Sequence, residues 1–180
     1  VYAYIWRGVF ENNCNMYYFG EPLNLLFDPG LARHVDLRFD TMRSDGLNPD
    51  DITTVISTHS HPDHFEGCAH FMDGRAKVGM HRDEIAFLNE VGPQFFRMMG
   101  MEFPLFSFDM ELDEGPLIVN GVELEIFLTP GHSPGSVCVY WKDKKVLVCG
   151  DLIFRESVGR TDFPGGDSAK LKASIERMSE

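Results

Sequence analysis

Apolar and polar positions change rhythm several times along the chain, and each rhythm predicts an element. Residues 14–19 alternate, residues 23–27 are almost continuously apolar, and Gly20-Glu21-Pro22 between them is a turn signal. The pair reads as a hairpin, stopped by Asp28-Pro29-Gly30. Over 31–44 the period lengthens, placing Leu31, Val35, Phe39 and Met42 on one helical stripe that ends near Gly46. Residues 52–58 are β-branched without polar alternation, as in a strand covered on both faces. Helices are predicted from Asp63 to about Met72 and over 81–91, with a short strand, 76–80, between them. Residues 117–119 and 122–128 flank Asn120-Gly121, a strong hairpin signal. Residues 137–141 and 146–149 pair across a lysine-rich turn, and 168–179 reads as a capped helix with Leu171, Ile175 and Met178 inward.

Strands and helices thus interleave in two similar halves, each richer in hairpins than a doubly wound sheet. That pattern predicts an α/β (α+β) protein with two mixed β-sheets packed together and helices outside. The length, 180 residues, suits one domain over 1–180.

The sharp chemical signal is Thr58-His59-Ser60-His61-Pro62-Asp63-His64, which begins where a buried strand ends. Functional side chains emerge at such strand ends in α/β sheets. His59 and His61, two apart in extended backbone, point to one side and can share a cation. Pro62 closes the extended piece and can open a helix, which turns Asp63 and His64 back toward the same region. Imidazole and carboxylate suit zinc and similar borderline metals. The cluster offers more donors, in more directions, than one tetrahedral site can use, so a pair of metals is expected. His132, in the Pro/Gly-stiffened loop 129–136, and Asp151, after the apolar residues 146–149, sit at strand ends in the same manner. Asp151 taken alone reads equally as a helix N-cap.

Together with Leu26-Phe27-Asp28-Pro29-Gly30 and Gly159-Arg160-Thr161-Asp162-Phe163, these segments closely resemble the metallo-β-lactamase superfamily and, within it, the glyoxalase II-like (hydroxyacylglutathione hydrolase-like) hydrolases. The resemblance implies an αββα sandwich with metals in a cleft at one edge of the sheets. Carried over by motif, His59, His61 and His132 would hold the first metal, Asp63 and His64 the second, and Asp151 would bridge them. Two Zn2+ sites are implied, with iron or manganese as alternatives. The family pattern has one more His, after a strand beyond the terminal helix; no His follows His132 here, so the resemblance implies either that this segment lies past Glu180 or that the second metal site is incomplete. The implied reaction is cleavage of a thioester such as an acylglutathione by a hydroxide held at the metals, with Asp63 as the catalytic residue orienting it. Arg160 matches a position that contacts an anionic, small-molecule substrate. The same Gly159–Phe163 string also occurs in persulfide dioxygenases, which use a single iron. That is the alternative reading, with a non-catalytic metal-binding module a third.

Composition narrows this. A net charge of −12 excludes the basic face that nucleic-acid binding needs. No apolar run approaches a membrane span, no signal peptide is visible, and the scattered cysteine usage fits a reducing cytoplasm. Cys14, Cys68, Cys138 and Cys149 are too scattered for a disulfide framework, and Cys138 and Cys149 read as small buried hydrophobes. His34, His70 and His81 match no ligand position and read as helix-surface or packing residues. The Phe- and Met-rich stretch 95–103 reads as core covering the sheet, with a lid or a homodimer patch as the second reading.

Overall fold

Leu25, Leu26 and Phe27 show how the layers form, because neighbours in one strand belong to different cores. Leu25 and Phe27 pack between the two sheets, whereas Leu26 faces the helices. A strand covered on both faces cannot alternate with polar residues, which is why this segment is apolar throughout. The computed structural model describes residues 1–8, 11–104 and 106–179.

The first sheet has the order β1 (Tyr2–Tyr4), β2 (Met16–Phe19), β3 (Leu25–Phe27), β4 (Thr54–Ile56), β5 (Lys77–His81), β6 (Met110–Leu112). Its first three strands are antiparallel and β3 to β6 are parallel. Parallel neighbours need crossovers, supplied by α1 (Ala32–Ser44), by α2 (Pro62–Phe65) with the 3-10 turn Glu66–Phe71, and by α3 (Arg82–Met98). The second sheet, β7 (Gly115–Val119), β8 (Val122–Leu128), β9 (Val137–Trp141) and β10 (Val146–Val148), is antiparallel throughout, in the order β10-β9-β8-β7. Phe19, Phe27, Ile56, Leu124, Ile126 and Val139 fill the space between the sheets. Each such fully buried side chain contributes roughly 1.5–3 kcal/mol. Val35, Phe39, Phe65 and Phe96 join the helices to the outer face of the first sheet. On the far side α4 (Ser168–Met178), capped by the Asp167 carboxylate, lays Leu171, Ile175 and Met178 against Cys138 and Phe127. The layering is α/β/β/α, as the sequence predicts.

β1 and β6 lie where the sequence pattern predicts no element, the predicted strand 52–58 is only Thr54–Ile56, and three further departures have clear physical reasons. The halves are not similar: the run from β7 to β10 contains no α-helix, because antiparallel neighbours close with turns alone. The helix predicted from Asp63 to Met72 is a single α-turn continued as a 3-10 segment. There Gly67 presses against the backbone of Gly30, and its N–H donates to the Gly30 carbonyl instead of continuing the α-helix. The helix predicted to end at Val91 runs on through Pro93 to Met98. Phe95 and Phe96 are buried beyond the proline, and their packing against His61, Phe65 and Phe103 outweighs the lost backbone bond. Within the stretch 95–103 these phenylalanines are core, whereas Met98 and Met99 are exposed.

Arg38 interrupts the apolar stripe of α1 yet is buried. Its guanidinium donates to the carbonyls of Tyr4 and Cys14, both at 2.6 Å, and so ties α1 to the edge of the sheet. All four cysteines are free thiols. Cys138 is buried as predicted, but Cys149 is half-buried, its thiol donating toward the Ile153 carbonyl. Among the described residues no helix is long and apolar enough to cross a membrane.

Candidate metal centre

β4 ends at Ile56, the chain bends at Thr58 and His59, and His61, with φ of −66° and ψ of 143°, leads into Pro62 at the start of α2. Pro at a helix start sacrifices no bond, so the sequence can turn sharply there. That turn swings His64 under His59, with ring centroids 4.1 Å apart. His132 arrives from the loop after β8 and lies 4.7 Å from His59 and 4.4 Å from His61 by ring centroids. Ligand atoms of His59, His61 and His132 lie within 4.8 Å of one another, and so do those of His59, His64 and Asp151.

The three rings of the first group are buried, and the Nε2 atom of each is buried without a hydrogen-bond partner. A buried polar atom left unpaired costs about 1–3 kcal/mol, so three in one place call for a common partner. Two of the rings have their protons assigned by their neighbours. The Thr58 hydroxyl donates to Asp28, so at 3.1 Å it can only accept from His59 Nδ1. His132 Nδ1 donates to the Arg160 carbonyl at 2.8 Å. In both, Nε2 is left with a lone pair facing the cluster, the arrangement a metal-ligating histidine requires. The donor set fits a divalent cation.

Asp151 lies between the groups. One carboxylate oxygen is 3.1 Å from His64 Nε2 and the other 3.4 Å from His132 Nε2. Gly150 precedes it with φ +48°, and a Cβ there would come within 2.6 Å of the Thr58 hydroxyl, so only glycine brings this strand end so close. Asp63 borders the same cleft as His64 and Asp151, outside the two groups of converging atoms, and its Oδ2 accepts from the Asn12 amide at 2.6 Å. The cleft, about 570 Å³, is also lined by Tyr17, Phe154 and Arg155. Arg160 lies elsewhere: its guanidinium pairs with Asp162 through two bonds of 2.7 Å and stacks 3.7 Å over Phe163, whose ring touches that of His61.

Charges follow this placement. Burial pushes His59 well below the usual imidazole range, and the neighbouring rings add to it. Burial, then His132 and His64, lower His61 to about 3. For His64 burial also opposes the charged ring, yet Cys14, Asp151 and Asp28 hold it well above the usual range. The Cys14 thiol is itself pushed up by burial to about 12, so the two carboxylates are the charged neighbours at neutral pH. Burial raises Asp63, while Asp151, despite burial, is lowered by His64 and His132.

The motif reading assigns no role to two acidic residues. Asp28, at the end of β3, takes hydrogen bonds from the Thr58 N–H and hydroxyl and from His64 Nδ1. It carries the signal that singled out Asp151, a carboxylate closing a buried strand. Glu84 is fully buried in the first turn of α3, four residues before Leu88 on the same inward stripe. His34, His70 and His81 stay outside the centre: His34 stacks on Trp6, His70 bonds the Ala32 carbonyl, and His81 caps α3.

The sequence pattern of the metallo-beta-lactamase superfamily matches residues 9–180. The chain is 32% identical over 154 residues to the probable metallo-hydrolase YqgX of Bacillus subtilis, covering 84% of this chain and 71% of that one. It is 31% identical over 174 residues to the hydroxyacylglutathione hydrolase GloC of Haemophilus influenzae, covering 92% and 78%. An uncharacterized protein of Aquifex aeolicus is 35% identical over 131 residues, and the match spans 71% of this chain but only 61% of that protein's length. Among solved structures, TTHA1623 in a di-iron-bound form superposes with a TM-score of 0.77 at 28% identity, over 99% of this chain and 85% of the other. With the fold, the His/Asp cluster and these relatives in agreement, the chain belongs to the metallo-beta-lactamase superfamily.

Proposed function

We propose that the protein hydrolyses a thioester of the acylglutathione type, using two divalent cations, zinc foremost. The observation that carries this is the set of three buried, unpartnered Nε2 atoms beside a carboxylate that reaches both groups of donors. His59, His61 and His132 would hold one cation, Asp63 and His64 the other, with Asp151 between. Bound there, the pair supplies Lewis acidity for the carbonyl, a water of lowered pKa, and charge stabilisation for the departing thiolate.

The chain's own residues do the rest. Asp63, held through Oδ2 by the Asn12 amide, would orient the attacking water by accepting a hydrogen bond from it. Asp28 fixes His64 through Nδ1, so the ring presents Nε2 to the cleft. Arg160 receives the anionic end of the substrate by exchanging its exposed partner Asp162, an ion pair that water already screens. The substrate is a small anionic molecule handled in the cytoplasm, and nucleic acid is excluded by the acidic surface.

A second reading, oxidation of a persulfide at a single iron, is favoured by one contact pattern. Both nitrogens of His64 already face carboxylates, which leaves one complete donor set. Elemental analysis of protein purified without chelators, a thioester panel and an oxygen electrode separate the two. Zinc with thioester turnover is expected; iron with oxygen uptake would replace this reading with the second.

A further inference from the structure

Glu84 stands apart from every step above, yet no other carboxylate among the described residues is as fully enclosed by donors. Its Oε1 accepts from the Ser60 N–H at 2.8 Å and the Ser60 hydroxyl at 2.6 Å. Its Oε2 accepts from the Ser133 hydroxyl and the Gly135 N–H, both at 2.8 Å. Four donors fill the capacity of one carboxylate. Ser60 lies between His59 and His61 in the chain, and Ser133 follows His132. One oxygen therefore holds the loop that brings two histidines, and the other holds the loop that brings the third.

The fit leaves little slack. Gly135 packs so closely on α3 that a Cβ would fall 2.2 Å from the Glu84 nitrogen. The Ser136 hydroxyl, 2.6 Å from that of Ser133, donates to it while Ser133 donates to Glu84. The carboxylate also sits in the first turn of a helix, where the aligned N–H dipoles favour negative charge. A backbone bond from the Val137 N–H to the Thr58 carbonyl links the same two segments, but nearer the sheet.

We propose that Glu84 is a positioning residue, a strut whose two oxygens set the separation of the His59/His61 loop from the His132 loop and thereby the metal affinity of the first site. The inference rests on the reading that these histidines hold a cation. Groups that orient ligands from behind typically matter by about 10–100-fold in affinity. E84Q keeps the shape but turns an NH2 toward one of the donors, leaving a buried N–H or hydroxyl without an acceptor. E84D keeps the charge but is one methylene too short to reach both loops.

The test is chelator competition for Zn2+, with the Co2+ absorption spectrum as a reporter of ligand geometry, on the 180-residue protein and its variants. E84Q and E84D should each bind Zn2+ about 10–100-fold more weakly with an altered Co2+ spectrum. S133A, which removes one contact and leaves the carboxylate, should show a smaller but measurable loss of about 2–10-fold. Recovery of affinity in E84D would overturn the strut, because charge alone would then suffice. Wild-type affinity and spectrum in E84Q would overturn it too, and should that variant not fold, an unchanged S133A would do the same. Failure of the unsubstituted protein to bind Zn2+ or Co2+ would instead strike at the hydrolase reading itself.

Discussion

His59, His61 and His132 are buried, whereas Asp63, His64 and Asp151 border the open cleft, His64 with no more exposure than His61. Two rings of the first group have their tautomers assigned from behind, by Thr58 and the Arg160 carbonyl, and its loops are fastened by Glu84. In the second, His64 and Asp151 are already paired with each other, and the Asp63 carboxylate is held by the Asn12 amide. One side of the centre is thus prepared to accept an ion, while the other must exchange partners to do so. The difference assigns affinity to the enclosed side and chemistry to the open one.

The largest expected effect is the loss of H132A. Removing that ring should weaken first-site metal binding by more than about 100-fold, beyond the range of outer-shell changes. Near-normal affinity by chelator competition would contradict the assignment of the enclosed side. D63N should do the opposite, lowering thioester turnover by about 10²–10⁴-fold while the first metal stays. Loss of that metal in D63N would show the two sides to be inseparable. Titration of the metal-free chain with zinc should then resolve two unequal steps, the tighter belonging to the histidine triad; two equally tight sites would erase the contrast.

A smaller effect is the pH dependence of the metal-free protein. His59 and His61 are held below the ordinary 6.5, His61 at about 3, so the unfolded chain binds more protons than the folded one in that window. Stability should therefore fall as pH drops below about 6.5. His64 is raised, so its contribution is complete below 6.5 and is lost as pH climbs through its folded value. The melting temperature should peak near pH 6.5, with a gentler acid limb in H61Q; an identical acid limb would show that other groups control it. Smallest is R160A, which should raise KM for an anionic thioester with little change in kcat. A parallel R155A variant tests the cation that lines the cleft, and an effect there alone would move the anion site.

The ligand candidates were legible because four of them crowd into residues 59–64 at a strand end, and His132 and Asp151 end strands likewise. Asp28 carried that same signal without a neighbouring histidine to draw attention. Glu84 could not be read from its surroundings, since its partners Ser60 and Ser133 are 24 and 49 residues away. A glutamate near a helix start reads as a favourable end charge, which it also is. The layering followed from strands without polar alternation, but α3 beyond Pro93 did not. Local propensity opposes that extension, and only Phe95 and Phe96 finding their cores explains it.

The parallel run from β3 to β6 has a consequence for how the molecule comes together. Each of those pairings must wait for a crossover to close, and the second sheet joins through contacts more distant still, such as Asn120 to Leu23, 97 residues apart. Topologies dominated by such separations fold slowly, because loop entropy is lost before the contacts form. His59 and His64 follow the first sheet, while His132 and Asp151 follow strands of the second. An ion therefore finds its donors only after the sheets have met, so metal capture should trail collapse in refolding. Its release under denaturant should track global unfolding and not the fraying of any single element.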